Sequence, residues 1–294
     1  MRFTEIGQQL RAYRLESGLR AEEIAARLGV SRAALYRYEK GEVIKLDTVK
    51  RLAELLKISP LSLLGIGVEY YNRPVGYFER IRQTEETAEQ ILQVFGPLCY
   101  LTTSDAYDSV LAEAYDEAID RSEADRSSNR AAVEQVQGIM AARKRMYSMR
   151  KPGIIAILSA GSIRRLLDQG IVGSTELSEP LQHRCRQVAA AEVEKIAMLM
   201  ETEPMGLQFG LLQHSEPTSS FKILRARDRA TLAINPFRPD GMPSVQTGVA
   251  MLTGADEATA SHQRAAESMW RDALKGAAGA AQIRRMLQPA RAMA

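Results

Sequence analysis

The chain is poor in the residues that carry most metal, redox and membrane chemistry. Its 294 residues include 2 cysteines, 3 histidines and 1 tryptophan. Cys99 and Cys185 lie far apart, each inside an apolar-patterned segment, which predicts buried thiols in a reducing cytoplasm rather than a disulfide framework; a redox-sensing pair is the alternative. No zinc-type cysteine spacing occurs, His183-x-Cys185 has too few partners for a metal, and His214 and His262 stand isolated. Neither metal nor cofactor is therefore expected. A serine nucleophile elbow and a G-x-x-x-x-G-K-[ST] phosphate loop are both missing, which argues against an enzyme. No apolar run reaches the roughly 18 residues of a membrane span. The opening residues, Met1 to Glu5, begin a charged helix without an apolar signal core. Together these absences predict a cytoplasmic protein with no membrane partner.

What is present is a hydrophobic content of 45%, enough for a substantial core, on a chain whose length suits two domains. Net charge is +3, and it is unevenly spread. Residues 1–60 hold 12 Lys+Arg against 8 Asp+Glu, whereas the remainder holds 27 against 28. The whole basic surplus sits in the headpiece, the pattern expected if that part alone meets a polyphosphate.

The stretch from Arg20 to Gly41 reads R-A-E-E-I-A-A-R-L-G-V-S-R-A-A-L-Y-R-Y-E-K-G. Ile24, Ala25 and Leu28 share one helix face, Gly29 supplies a left-handed stop, and Ser31 is a good N-cap for a second helix. On that helix Ala34 and Leu35 point inward, leaving Arg32, Ala33, Tyr36 and Arg37 outward. Two short helices joined by a tight glycine turn, with basic side chains on the free face of the second, can lay one helix in a DNA major groove. Around this unit, Ile6, Leu10 and Tyr13 define a first helix ending at Ser17-Gly18. Asp47 is the expected cap of a fourth helix facing inward through Val49, Leu52, Ala53 and Leu56. Pro60 suits the first turn of a short fifth helix.

The segments I-G-Q-Q-L-R-A-Y-R, L-R-A-E-E-I-A-A-R-L-G-V-S-R-A-A-L-Y-R-Y-E-K-G and L-D-T-V-K-R-L-A-E-L-L resemble the phage-repressor-type, or XRE, helix-turn-helix family over about residues 4–66. The resemblance implies an all-α five-helix DNA-binding domain. By position it places Arg32, Ala33 and Arg37, with Tyr36 beside them, among base-reading residues. It puts Ser31 at the phosphate-facing start of the recognition helix, and Arg20, Lys40 and Lys45 near phosphates. Arg14 and Glu39 match a structural salt bridge of the family. One departure is Ala21, where the family commonly carries a glutamine that touches phosphate; Arg20 is the neighbouring substitute. Arginine can give guanine O6 and N7 two parallel hydrogen bonds, so Arg32 and Arg37 predict a preference for G·C pairs.

Gly65, Gly67, Asn72 and Pro74 mark a junction, giving boundaries of 1–68 for the DNA-binding domain, 69–96 for a linker helix and 97–294 for the remainder. Val75–Phe95 reads as one long helix, because Tyr77, Ile81, Thr84, Ala88, Ile91 and Phe95 recur at helical spacing. That seam can pair with its symmetry mate in a dimer or pack on its own domain. Beyond it, Leu98–Thr102 reads as a strand and Gly153–Leu158 as a strand buried on both faces. Further strands are expected at Leu207–Gln213, Phe221–Leu224, Thr231–Ile234 and Val245–Leu252, between helices. The pattern predicts a larger α/β (or α+β) C-terminal domain with its last strands meandering.

Two places there share a strand, polar loop, helix layout: C-Y-L-T-T-S-D-A-Y and I-A-I-L-S-A-G-S-I-R-R. Ligands in open α/β sheets gather at strand carboxyl ends, and helix N-termini favour anions. Thr102, Thr103, Ser104, Ser159, Gly161, Ser162 and Arg164 (or Arg165) are therefore the candidate lining of an effector pocket, with plain helix capping by Ser104 and Ser162 as the alternative. The run Arg143-Lys144-Arg145 reads as a solvated helix end. The expected function is a sequence-specific DNA-binding regulator, a repressor by preference. It is expected to act as a homodimer on a double-stranded operator with approximate two-fold symmetry and to respond to a small-molecule effector. An antitoxin-like regulator controlled by a protein partner, and an enzyme with a DNA-targeting headpiece, are the alternatives.

Overall fold

A computed structural model describes residues 3–94, 96–121, 126–173, 177–214, 219–238 and 246–292. The headpiece is five helices: α1 (Phe3–Ser17), α2 (Ala21–Leu28), α3 (Arg32–Glu39), α4 (Leu46–Leu56) and α5 (Pro60–Leu63). Leu10, Ile24, Leu35 and Leu52 are fully buried at its centre, with Ile6, Tyr13, Leu28, Val49 and Leu56 around them. Local signals set the turns. Gly29 takes φ 70 and its N–H returns to the carbonyls of Ala25 and Ala26, closing α2. Ser31 Oγ accepts the Ala34 N–H at 3.1 Å, opening α3. Asp47 is not the cap of α4. Lys45 holds that position without a side-chain bond, and Asp47 lies in the first turn, where its charge still favours the helix dipole.

The larger half is β1 (Val68–Tyr71), α6 (Pro74–Glu85), β2 (Gln90–Val94), α7 (Asp105–Arg121), α8 (Arg126–Arg150), β3 (Gly153–Ser159), α9 (Ala160–Gln169), α10 (Glu179–Thr202), β4 (Leu207–Leu212), β5 (Phe221–Arg225), β6 (Ala230–Ile234), β7 (Ala250–Thr253), α11 (Asp256–Asp272) and α12 (Gly276–Ala292). Its strands form one seven-stranded sheet in the order β1-β7-β6-β5-β2-β3-β4. β2, β3 and β4 run parallel, joined by helical crossovers, while β5, β6 and β7 meander antiparallel and β1 adds to β7. This is the expected α/β class.

Strand alternation divides the core by face. Ile91, Ile154, Ala156, Leu224 and Ala233 point to the side covered by most of the helices. Leu92, Val94, Ile157, Ile223 and Leu232 point to the side covered by α11. Gly210 on β4 makes that second contact close, since a Cβ there would lie 2.8 Å from the Trp270 ring.

Of the strand expected at Val245–Leu252 only the part from Ala250 is strand, and Val245 lies outside the described residues. Two further expected elements are different. The predicted helix over 75–95 stops at Glu85, and Gln90–Val94 is a central strand between β3 and β5. The helical spacing is real as far as Thr84. Beyond Ala88 the run I-L-Q-V gains two strand neighbours, which outweigh a spacing that suits either structure. Phe95 lies outside the described residues. Tyr77, Ile81, Thr84 and Ala88 are buried within this chain, so the proposed dimer seam is not an exposed stripe. The predicted strand at Leu98–Thr102 is a single 3-10 turn over Tyr100–Thr102. Both edges of β2 are already paired, and the Thr102 and Thr103 hydroxyls bond back to the carbonyls of Cys99 and Tyr100 at 2.9 and 2.8 Å.

The headpiece is docked on the larger half through α1. Gln9 donates to Glu69 at 2.6 Å, Arg80 grips the same carboxylate with two bonds of 2.8 and 3.0 Å, and the Tyr71 hydroxyl donates to it at 2.9 Å. Tyr13 stacks on Tyr71 with ring centres 5.2 Å apart. Arg11 pairs with Glu79 at 2.8 Å, and Glu16 accepts the backbone N–H of Asn72 at 2.6 Å. At Gly76 a Cβ would lie 3.1 Å from the Glu16 Cα, so α6 lies hard against α1.

Candidate nucleic-acid interface and ligand pocket

The outer face of α3 is open. The Arg32 and Arg37 side chains are 59% and 57% exposed, and Ser31 and Ala33 are exposed beside them. Tyr36 is half-buried and lies under the Arg32 guanidinium, 5.4 Å from ring centre to charge. Arg32 also pairs with Glu22 at 2.8 Å, and Arg37 with Glu42 at 3.1 Å. These are exposed pairs of small net value, so nucleic acid can displace the carboxylates at little cost. Arg20, Lys40 and Lys45 are exposed on the same subdomain, and Arg20 bonds Glu23 across the start of α2. Ala21 is buried and offers no polar contact.

Arg14 and Glu39 are brought together as a two-bond pair of 2.5 and 3.1 Å, joining α1 to the end of α3. Their side chains are 13% and 4% exposed, so the pair ties α3 to α1 inside the headpiece and does not face outward.

The second site is a cavity of about 490 Å³ in the larger half. Its walls come from α6 (Tyr77, Phe78, Ile81), the turn at Leu98 and Tyr100, α8 (Arg143), α9 (Ser162, Arg165) and β5 (Lys222), with Phe237 closing one side. Of the residues expected from sequence, Ser162 lines it, as does Arg165, the alternative to Arg164; the other six do not. Ser159 caps α9 by accepting the Ser162 N–H at 3.1 Å. Ser104 takes a carboxylate oxygen of Glu192 at 2.9 Å through its N–H and caps α7. Thr102 and Thr103 spend their hydroxyls on the local turn, and Gly161 and Arg164 lie off the wall, with Arg164 exposed. The capping alternative therefore holds for Ser104 and not for Ser162, since the cap of α9 is Ser159. Both polar loops adjoin the cavity through neighbours, Tyr100 in one and Arg165 in the other, whose Nη2 donates to Ser162 Oγ at 3.1 Å.

The charged floor was not foreseen. Arg143, read from sequence as part of a solvated helix end, is fully buried. It gives Glu85 two bonds of 2.8 Å from Nε and Nη2. Lys144 is also partly covered and bonds the Ser104 carbonyl at 3.0 Å, while Arg145 is exposed. Lys222 Nζ stands 3.9 Å from Glu85 Oε1, beyond hydrogen-bonding range. Burial alone would push the Glu85 carboxyl up, but the Arg143 guanidinium and the Lys222 ammonium together hold it below its ordinary value. Burial pushes Lys222 down, the Arg143 charge adds to that, and Glu85 opposes it only in part. The available signal was F-K-I-L, a lysine inside a strand with both faces covered.

A family model described as a helix-turn-helix domain matches residues 5–63, the headpiece alone. That part of the chain is a helix-turn-helix domain. No curated protein matches the chain. Among solved structures the chain is similar to TrmBL2, an archaeal chromatin protein whose structure is described as showing a novel mode of DNA binding. Identity is 12%, the match covers 78% of this chain and 61% of that one, and the TM-score is 0.32. The chain thus spans less than two thirds of that protein's length. Among the described residues no helix is long and apolar enough to cross a membrane, and no three His, Cys, Asp or Glu side chains converge on a metal position.

Proposed function

We propose that the protein is a DNA-binding transcription regulator of the phage-repressor type, acting in the cytoplasm and not as an enzyme. The observation that carries this reading is the free outer face of α3, with Arg32, Ala33 and Arg37 exposed on a helix-turn-helix scaffold. Arg32 and Arg37 read base edges, and Ser31, Arg20, Lys40 and Lys45 hold phosphates. One recognition helix covers only a few base pairs, so the protein acts as a homodimer on two half-sites about one helical turn apart. Repression is the output. Selection of duplexes from a random pool tests this: enrichment of a two-fold G·C-containing site supports it, and binding with no enriched sequence refutes it.

The cavity is the seat of a small-molecule effector. Its volume is typical of small-molecule sites, which favours an effector over control by a protein partner. α6 supplies the coupling. Tyr77, Phe78 and Ile81 wall the cavity, while Gly76 and Glu79 of the same helix meet Glu16 and Arg11 of α1. A ligand that fits one position of α6 better than another would bias the headpiece by that difference in affinity and no more.

A further inference from the structure

Every charged side chain among the described residues lining the cavity is positive: Arg143, Arg165, Lys222 and Arg238. One carboxylate, Glu85, stands behind this wall, and Arg143 already occupies both of its oxygens. Lys222 projects from the middle of β5, in register with Gln93 on β2 and Ala233 on β6, and its ammonium makes no hydrogen bond among the described residues. Its side chain is 15% exposed, and that opening is onto the cavity. A buried ammonium sharing a taken carboxylate with a buried guanidinium is only partly compensated, which folding alone would discard. The Tyr77 hydroxyl, also in the wall, is buried without a hydrogen-bond partner among the described residues. Around these atoms the surface is mixed, with Phe78, Tyr100 and Phe237 as an aromatic part and Gln93, Gln169 and Asn235 among the uncharged polar groups.

We infer that the cavity takes a small organic acid, its carboxylate meeting Lys222 Nζ and its largely apolar body packing among Phe78, Tyr100 and Phe237. A monoanion matches the one ammonium on the floor whose nearest carboxylate is already taken. This inference rests on reading the cavity as a ligand site, and it adds the class of ligand.

The test uses matched acid and amide probes on the full chain: 2-naphthoate against 2-naphthamide, and octanoate against octanamide. Calorimetric titration and melting temperature are the readouts. At least one acid should bind about tenfold or more tightly than its amide, as a charge-assisted bond requires. Lys222→Met should abolish that preference and Lys222→Arg should keep it. Lys222→Met should melt no lower than wild type without ligand, because it removes a buried charge whose distant carboxylate is already taken by Arg143; this separates a lost anchor from a damaged fold. Amides binding as well as acids, an undiminished preference in Lys222→Met, or failure of both acids to bind each overturns the inference. Adding the bound acid to a complex with selected DNA tests the other reading separately. An acid that binds yet leaves DNA affinity unchanged removes the effector role and leaves the ligand class standing. A neutral compound that binds and shifts DNA affinity does the opposite.

Discussion

Replacing Glu85 by leucine should be among the costliest single changes in the larger half. The carboxylate is completely buried, and its partner Arg143 is 2% exposed. The variant leaves a guanidinium and the Lys222 ammonium without an anion, and removing one member of a buried pair costs about 3–5 kcal/mol. Two cations lose the same partner, which places the expectation at the upper end. Glu85→Leu with Arg143→Met should recover most of the loss, because a buried pair replaced by apolar groups of similar volume is often neutral. Recovery should fall short by about 1–2 kcal/mol, since Lys222 still lacks its anion and Arg143 also lies over the Phe78 and Tyr100 rings at 5.9 and 5.7 Å. Urea unfolding followed by near-UV and far-UV circular dichroism measures all three proteins. A loss under about 1 kcal/mol in Glu85→Leu, or losses that simply add in the double variant, would refute the account of a coupled charged floor.

Other consequences are equally direct. Arg37→Ala should weaken binding to the selected site by about 1–3 kcal/mol and relax preference at one base pair; an equal loss on every duplex in salt-titrated gel shifts would contradict base reading. Arg14→Met should cost about 3 kcal/mol by stranding Glu39, and it should reduce DNA binding only as far as thermal melting shows the headpiece unfolding. Lys222 is held below the ordinary lysine range, so the unfolded chain binds its proton more tightly than the folded one. Stability relative to Lys222→Met should therefore rise as pH increases toward that range, in denaturation curves taken between about pH 7 and 10; a flat difference would show that the ammonium is not strained. Gly76→Val should force α6 off α1, costing about 1–3 kcal/mol and raising hydrogen exchange across both helices.

The headpiece was legible because its determinants are local. Gly29, Ser31 and Pro60 each act within a turn of their own position, and the apolar spacing from Ile6 to Leu56 has one period throughout. The Arg14–Glu39 pair was reached through resemblance to a family, and the geometry reproduces it. The segment from Tyr77 to Val94 was not legible. Its apolar residues keep a helical spacing across a change from helix to strand, and only β3 and β5, drawn from distant parts of the chain, settle the choice.

Sequence alone thus determined the helix-turn-helix unit, the exposed face of α3 and the α/β class, since these follow from short-range chemistry and periodicity. Tertiary structure alone decided the seating of the headpiece on α6 and the character of the pocket. Glu85, Arg143 and Lys222 carry no shared motif; they meet because a helix end, a second helix and a strand converge. The energy of a charge is set by what surrounds it, and that is known only once the chain has folded.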